Sequence, residues 1–213
     1  MDELSELCAR VLGRDDVAMQ AAEEARGRAP GDDRMALVAA AVAACRAREQ
    51  TRVPAPAAGS EPHGLAQAVA GELAVANARL PQRQREALAL RELRGLSHDQ
   101  IARVIGIDAH AVAPLLARAR LRLRTRLRGG LEANPGCAER ERSLRAIARR
   151  QDSEPIDEAD SAWLMEHLGH CPACNQAHAA MLEASVCYRA WRVQADERPG
   201  ADRGEPTPGS AAG

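Results

Sequence analysis

One short segment of the sequence carries three side chains that commonly bind metal ions. His167, Cys171 and Cys174 follow the spacing H-x3-C-x2-C. Thiolate and imidazole groups are ligands that suit Zn²⁺, and a structural zinc site takes four ligands in a tetrahedron. Cys137, about 30 residues upstream and just after a helix break, is the natural fourth ligand. The sequence therefore predicts one zinc ion, structural or regulatory, on Cys137, His167, Cys171 and Cys174.

A helix must position the first two ligands of this motif. Leu164 and Leu168 indicate an amphipathic helix that ends at the motif. His167 and Cys171 are four residues apart and therefore share one face of that helix. Pro172 then turns the chain, which lets the third ligand of the motif close the site.

Other interpretations of these cysteines and histidines stay open. The thiols can be buried apolar groups with His167 at the surface, and His170 and His178 are rival ligands. A redox hypothesis is weaker: oxidation of Cys171 or Cys174 would expel the metal and loosen the unit. We interpret the remaining cysteines as small apolar residues, namely Cys8, Cys45 and Cys187.

The rest of the sequence offers no catalytic pattern. No Ser/His/Asp set, phosphate-binding loop or carboxylate pair stands out, so we expect that the protein is not an enzyme. Aromatic residues are scarce, since the chain has two Trp, one Tyr and no Phe, and this favours small helical units with aliphatic cores. There is no leader-like segment and no run of about 18 apolar residues. We therefore expect a soluble cytoplasmic protein without membrane contact.

Positive charge is concentrated in the middle of the chain. Residues 79–128 contain 12 Arg and 4 acidic residues, whereas the whole chain has a net charge of −1. Both flanking segments are acidic. A basic patch of this density is typical of a nucleic-acid-binding surface.

Helix start and stop signals divide the basic segment into three helices. Pro81 begins the first helix, Gly95 ends it, Ser97 caps the second, Gly106 forms the turn, and Asp108 caps the third. The third helix has one apolar stripe, formed by Val112, Leu116, Ala119, Leu123 and Leu127. Two helices joined by a glycine turn form a helix-turn-helix, whose second helix presents its start to the major groove of DNA.

The same segment resembles region 4 of the extracytoplasmic-function sigma factors, which are small bacterial promoter-recognition subunits of the sigma-70 type. The matching stretches are LPQRQREALALRELRGLS at 80–97, the IA and IG pairs of the second helix, and V–LLARAR at 112–120. The resemblance implies binding to promoter DNA and to the flap of bacterial core RNA polymerase. The candidate DNA-binding residues are Arg91, Ser97, His98, Asp108, His110, Arg118, Arg120 and Arg122. Charge and spacing alone also fit an Arg-rich solvated helix without a DNA target.

The start of the third helix departs from the family pattern. Where the family usually has polar residues, this chain has Ala111, Ala113, Pro114 and Leu115. Alanine has no side-chain group that can hydrogen-bond to a base edge, and proline removes one helical hydrogen bond. We therefore expect DNA contacts that are dominated by phosphates and weak in specificity. The alternative is a regulator that binds polymerase or another sigma factor without reading DNA.

The N-terminal segment resembles a shortened region 2 of the same family. Residues 12–25 match its later helices, and Pro30 with Gly31 is expected to divide the segment into two helices. It has no aromatic residue that could hold unstacked bases, so promoter melting by the usual route is not expected. A plain Ala-rich helical pair is the alternative.

The sequence thus predicts an all-α protein of several parts. They are region 2-like helices at 1–50, a linker at 51–64, a region 4 helix-turn-helix domain at 65–129, a zinc-binding unit at 134–192 that resembles the zinc-binding anti-sigma fold, and a disordered tail at 195–213. We expect a sigma-factor-like regulator of transcription initiation whose zinc unit folds back on the DNA-binding module. Its expected partners are core RNA polymerase, promoter DNA and an anti-sigma or other regulatory protein.

Overall fold

The computed structural model describes residues 2–13, 17–29, 31, 33–50, 65–128 and 136–191. Within these residues the chain forms ten helices and no strand, which confirms the prediction of an all-α fold. The predicted linker at 51–64 and the predicted tail at 195–213 lie outside the described residues.

Three helices form the N-terminal part: α1 (Glu3–Leu12), α2 (Ala18–Arg28) and α3 (Arg34–Gln50). The sequence predicts two helices here, and the structure has three because the first one ends at Gly13. Gly13 adopts a left-handed φ of 66° and packs against Ala78, where an added Cβ would lie 2.9 Å from the Ala78 Cα. Both the backbone conformation and the close approach require glycine at this position.

Four helices form the middle of the chain: α4 (Leu65–Ala78), α5 (Gln82–Arg94), α6 (His98–Ile105) and α7 (Ala109–Arg128). Ser97 caps α6 and exchanges hydrogen bonds with Gln100 in a capping box. The predicted helix-turn-helix is therefore present in α6 and α7, which are bent by 94° relative to each other. No single described helix is long and apolar enough to cross a membrane; only this bent pair, taken together, has that length and composition.

Three helices form the C-terminal part: α8 (Arg140–Gln151), α9 (Glu158–His170) and α10 (Pro172–Ala190). A tight turn follows α8. In it Ser153 adopts a φ of 55°. The Ser153 N–H donates to the Arg150 carbonyl at 3.2 Å, and the Glu154 N–H donates to the Arg149 carbonyl at 2.9 Å. These two bonds form a Schellman-type helix end, a motif that usually has glycine in the left-handed position.

Helix α7 is buried on two faces. The predicted stripe, with Val112, Leu116 and Leu123 fully buried, packs into a core shared with α1 to α6 and with the end of α10. A second stripe, which the apolar pattern of the sequence does not predict, consists of Ala113, Ala117 and Leu121 and packs against α8 and α10. The residues of α8 and α10 in this second core include Leu144, Ile147 and Met181. The C-terminal helices therefore cover one side of the helix that would enter DNA.

The last aromatic residue has contacts beyond the C-terminal unit. We expect Trp163 and Trp191 to pack that small unit; Trp191 meets the Tyr188 ring of α10 edge-on, with centroids 5.7 Å apart, and it also contacts α1. The Arg10 guanidinium lies 3.8 Å from the centre of the Trp191 ring and donates to the Tyr188 carbonyl at 2.9 Å and to the Trp191 carbonyl. This buried arginine joins α1 to the end of α10.

Candidate metal site and nucleic-acid interface

The structure brings the four predicted metal ligands together. Cys137 precedes α8, His167 is in the last turn of α9, and Cys171 and Cys174 lie at the start of α10. Their ligand atoms all lie within 4.8 Å of one another, and the Cys137 Sγ is 3.5 Å from the His167 Nε2. Ligand atoms around a tetrahedral zinc ion are about 3.3–3.8 Å apart, given zinc–ligand distances of about 2.0–2.3 Å. The donor set and its spacing are therefore compatible with Zn²⁺.

Stacked side chains hold the histidine of this cluster. The Trp163 ring stacks on the His167 ring with centroids 4.8 Å apart and planes 16° apart. The Arg142 guanidinium lies 4.0 Å from the centre of the Trp163 ring and donates to Asp160 at 2.7 Å. The stack restricts rotation of the imidazole, so that its Nε2 stays directed at the Cys137 thiol.

The two thiols at the start of α10 differ in acidity. The backbone N–H of Cys174 donates to the Cys171 sulfur and lowers the pKa of Cys171. Burial raises the pKa of Cys174 to about 11. A divalent cation would favour the thiolate form of both, because a coordinating thiol loses its proton.

The rival histidine ligands lie outside this cluster. His170 is exposed, and its Nδ1 is 2.9 Å from the Glu166 carbonyl. His178 is half-buried on α10, where burial and the nearby charge of Arg150 lower its pKa. Of the three histidines, only His167 joins the three cysteines.

Four of the predicted DNA-binding residues are exposed. Asp108 and His110 lie at the start of α7, and Arg118 and Arg122 lie further along the same helix. An open groove of about 790 Å³ follows the turn between α6 and α7. It is lined by Asp99, Ala102, Arg103, Gly106, Ile107, Asp108 and Ala109. The groove and these four side chains are accessible at the helix-turn-helix.

The other four predicted DNA-binding residues are engaged in internal bonds. The Ser97 hydroxyl accepts the N–H of Gln100 at the start of α6. The Arg120 side chain is 1% exposed, and its guanidinium donates to Glu92 at 2.7 Å and to Asp152 at 2.6 Å. The remaining two, Arg91 and His98, also contact Asp152.

Asp152 is the point at which these three basic side chains meet. Its carboxylate accepts from the Arg91 Nε at 3.1 Å, and its second oxygen lies 2.9 Å from the His98 Nε2. Burial alone would raise the pKa of Asp152, but hydrogen bonds from His98 and Arg120, together with the charges of Arg120 and Arg91, outweigh burial and lower the pKa to about 2. Asp152 is therefore a carboxylate over the whole neutral range. Nothing in the sequence alone marks this residue as the meeting point of three basic side chains.

Further acids of the C-terminal part meet arginines of α7. Glu141 of α8 is 3.1 Å from Arg118, and Glu183 of α10 pairs with Arg124 at 3.1 Å and with Arg128 at 2.7 Å. The charges of the two segments already indicate such pairing, because residues 79–128 are basic and the segment after them is acidic. The charges do not indicate which residues pair.

A comparison with known families finds a match in the middle of the chain. Residues 71–123 match the family model described as Sigma-70, region 4. The match runs from within α4 to within α7 and covers about a quarter of the chain. No curated protein and no solved structure matches the chain.

The matched segment includes α6 and the greater part of α7, the two helices of the helix-turn-helix. The match supports a DNA-binding transcription regulator of the sigma-factor type, as the sequence resemblance implies. It does not extend to the four metal ligands, which lie at 137–174.

Proposed function

We propose that this protein is a sigma-factor-like regulator of transcription initiation, rather than an enzyme, which binds bacterial core RNA polymerase and promoter DNA through its region 4 module. The observation that carries this proposal is the region 4 match on a segment that folds as a well-capped helix-turn-helix. Region 4 domains are promoter-binding and polymerase-docking modules. Four exposed residues, Asp108, His110, Arg118 and Arg122, are the proposed DNA contacts on α7.

The DNA contact is expected to be mainly electrostatic. At the start of α7, Ala111 and Ala113 offer no hydrogen bond to bases, and Ala113 is 1% exposed under the C-terminal helices. Exposed arginines such as Arg118 and Arg122 bind phosphate regardless of sequence. We therefore expect DNA binding through α7 to weaken strongly as salt concentration rises and to differ little among promoter sequences.

The C-terminal part, α8 to α10, is proposed to bind one zinc ion and to modulate the module that it covers. Cys137, His167, Cys171 and Cys174 would hold the ion, and coordination would tie the segment before α8 to the junction of α9 and α10. Bound there, the ion would cross-link these elements and would supply no reaction chemistry. Because α8 packs against Ala113 and Ala117, its stability sets how firmly the C-terminal part covers α7.

A second candidate function is a regulator that binds polymerase, or another sigma factor, without reading DNA. The burial of Ala113 and the ion pair of Arg118 with Glu141 favour it, because both reduce the surface that α7 can offer to DNA. Binding of polymerase without any binding of DNA would support this candidate.

The experiment that tests the DNA-binding part measures affinity of the full chain for a short fluorescent duplex between about 50 and about 200 mM salt. The double variant Arg118→Ala/Arg122→Ala is expected to bind more weakly, with a salt slope that is smaller by about 2, since each lost phosphate contact removes about 0.9. The matched control is Arg145→Ala/Arg150→Ala, which removes two exposed arginines from α8. Equal slopes for the two double variants would refute the assignment to α7.

A further inference from the structure

We propose that the turn after α8 acts as an internal competitor of DNA. In this proposal the carboxylates of Asp152 and Glu154 bind the donors of the region 4 module that take a backbone phosphate in the DNA complex. The proposal rests on the DNA-binding function assigned above and specifies how the C-terminal part restrains it.

The two acids bind side-chain and backbone donors of the module. The Arg91 guanidinium donates to the Asp152 carboxylate at 3.1 Å and to the Asp152 carbonyl at 2.6 Å. It also lies 3.8 Å from the Glu154 carboxylate. The backbone N–H of His98, the first residue of α6, donates to that same Glu154 carboxylate at 2.9 Å. One carboxylate therefore lies between an arginine and the start of a helix.

These donors have the chemistry of a phosphate site. A guanidinium and the free N–H groups at a helix start are typical groups that bind phosphate oxygens. In a helix-turn-helix the first helix crosses the DNA backbone, and here that helix is α6. A carboxylate resembles the two non-bridging oxygens of a phosphodiester in charge and in its pair of acceptors. Glu154 at the His98 N–H thus stands where a backbone phosphate would be expected.

Two further observations single out this position. Ser153, between the two acids, is the one non-glycine residue with positive φ in the described part of the chain. A left-handed residue here makes the sharp turn that precedes Glu154. In addition, the His98 side chain is 4% exposed, and its Nδ1 is buried without a hydrogen-bond partner among the described residues. With Asp152 and Glu154 bound to the module, one polar atom of the site, the His98 Nδ1, therefore has no hydrogen-bond partner among the described residues.

The test uses the full chain and the isosteric double variant Asp152→Asn/Glu154→Gln. Its affinity for a short fluorescent DNA duplex is compared with wild type at several salt concentrations. The control is Glu158→Gln/Glu166→Gln, which removes two exposed acids from α9 and changes the net charge equally. We expect the double variant to bind about tenfold more tightly than the control, with a salt slope steeper by about 1 to 2. Adding Arg91→Ala to the double variant is expected to remove this gain.

Circular dichroism shows whether the double variant is folded. If the double variant does not fold, the single variant Glu154→Gln replaces it in the test, because this variant keeps the bonds between Asp152 and Arg120. That single variant is expected to show a smaller gain in the same direction. Equal affinity of the double variant and the control, or a gain that survives Arg91→Ala, would overturn the proposal and leave the DNA-binding function intact. If neither wild type nor any variant binds DNA at about 50 mM salt, both the proposal and the DNA-binding function are rejected.

Discussion

The Arg120 guanidinium donates to the Asp152 carboxylate at 2.6 Å, and this bond joins the basic helix α7 to the turn that ends α8. Both side chains are almost fully buried, at 1% and 2% exposure. The same guanidinium binds Glu92 of α5 at 2.7 Å. A residue that sequence reasoning assigns to DNA therefore links the region 4 module to the C-terminal part. Breaking such a buried pair from one side costs more than removing a surface pair, because a buried charge is left without its partner.

Acid should weaken this link within a defined pH range. Asp152 has a pKa of about 2 in the folded chain, against 3.8 for an ordinary aspartate. Because the pKa is lower in the folded chain than in the unfolded chain, the ionised carboxylate stabilises the fold at pH values above the unfolded pKa. This stabilisation is lost as pH falls from about 4 to about 2. For Asp152 it amounts to about 2 kcal/mol. Urea unfolding as a function of pH should show this loss in wild type.

The variant Asp152→Asn provides the comparison for the acid experiment. Its free energy of unfolding should be lower than that of wild type at neutral pH, and it should fall less on acidification. A variant that loses the same free energy as wild type between about pH 4 and about pH 2 would show that another carboxylate is responsible.

Ser153→Gly should stabilise the protein. Ser153 has a φ of 55°, which strains an L-residue and does not strain glycine. We expect the free energy of unfolding to rise by about 1 kcal/mol, measured by urea denaturation. Ser161→Gly, at a position inside α9, is the control and should destabilise by about 0.5 kcal/mol. Destabilisation by both variants would show that the left-handed turn is not formed.

Arg10→Leu should destabilise the whole chain. Arg10 is fully buried, binds Glu6 at 2.9 Å and donates to two carbonyls at the end of α10. Its loss leaves buried acceptors unpaired, which costs about 2–4 kcal/mol. Arg26→Leu removes an exposed pair with Asp2 and should cost less than about 1 kcal/mol. If chemical denaturation gives the same loss of unfolding free energy for Arg10→Leu and Arg26→Leu, this result would contradict the contact between α1 and the end of α10.

Zinc content tests the metal site directly. The purified chain should contain about one Zn²⁺, and Cys171→Ser should lose it, because a structural site requires all four ligands. Cys187→Ser is the matched control, since Cys187 is also partly exposed on α10 but lies outside the cluster. Zinc retained by Cys171→Ser, or lost equally by both variants, would contradict the assigned ligand set.

Local features of the fold are predictable from the sequence. Ser97 and the glycines at 95 and 106 fix helix ends through bonds within a few residues, and the structure forms these ends as the sequence predicts. The grouping of the four candidate ligands was also predictable, because three of them lie within eight residues and Cys137 is the only nearby cysteine before them.

Long-range contacts are harder to predict for physical reasons. Arginine is normally exposed, so nothing in the sequence marks Arg10 or Arg120 as buried, and each is buried only because distant groups satisfy it. Ala113 and Ala117 form too weak an apolar pattern to indicate that α8 covers them. The acids at 152 and 154 lie in a polar turn, and their role depends on the packing of α8 against α7.

The most direct test of the central claim is the binding of the full chain to purified bacterial core RNA polymerase. A fluorescently labelled chain should bind core polymerase saturably, at about one chain per polymerase, and a sigma factor that contains region 4 should displace it. Run-off transcription in the same mixture then shows whether binding starts or represses initiation. If neither the labelled wild-type chain nor the labelled variant Asp152→Asn/Glu154→Gln binds core polymerase, this result would contradict a sigma-factor-like function.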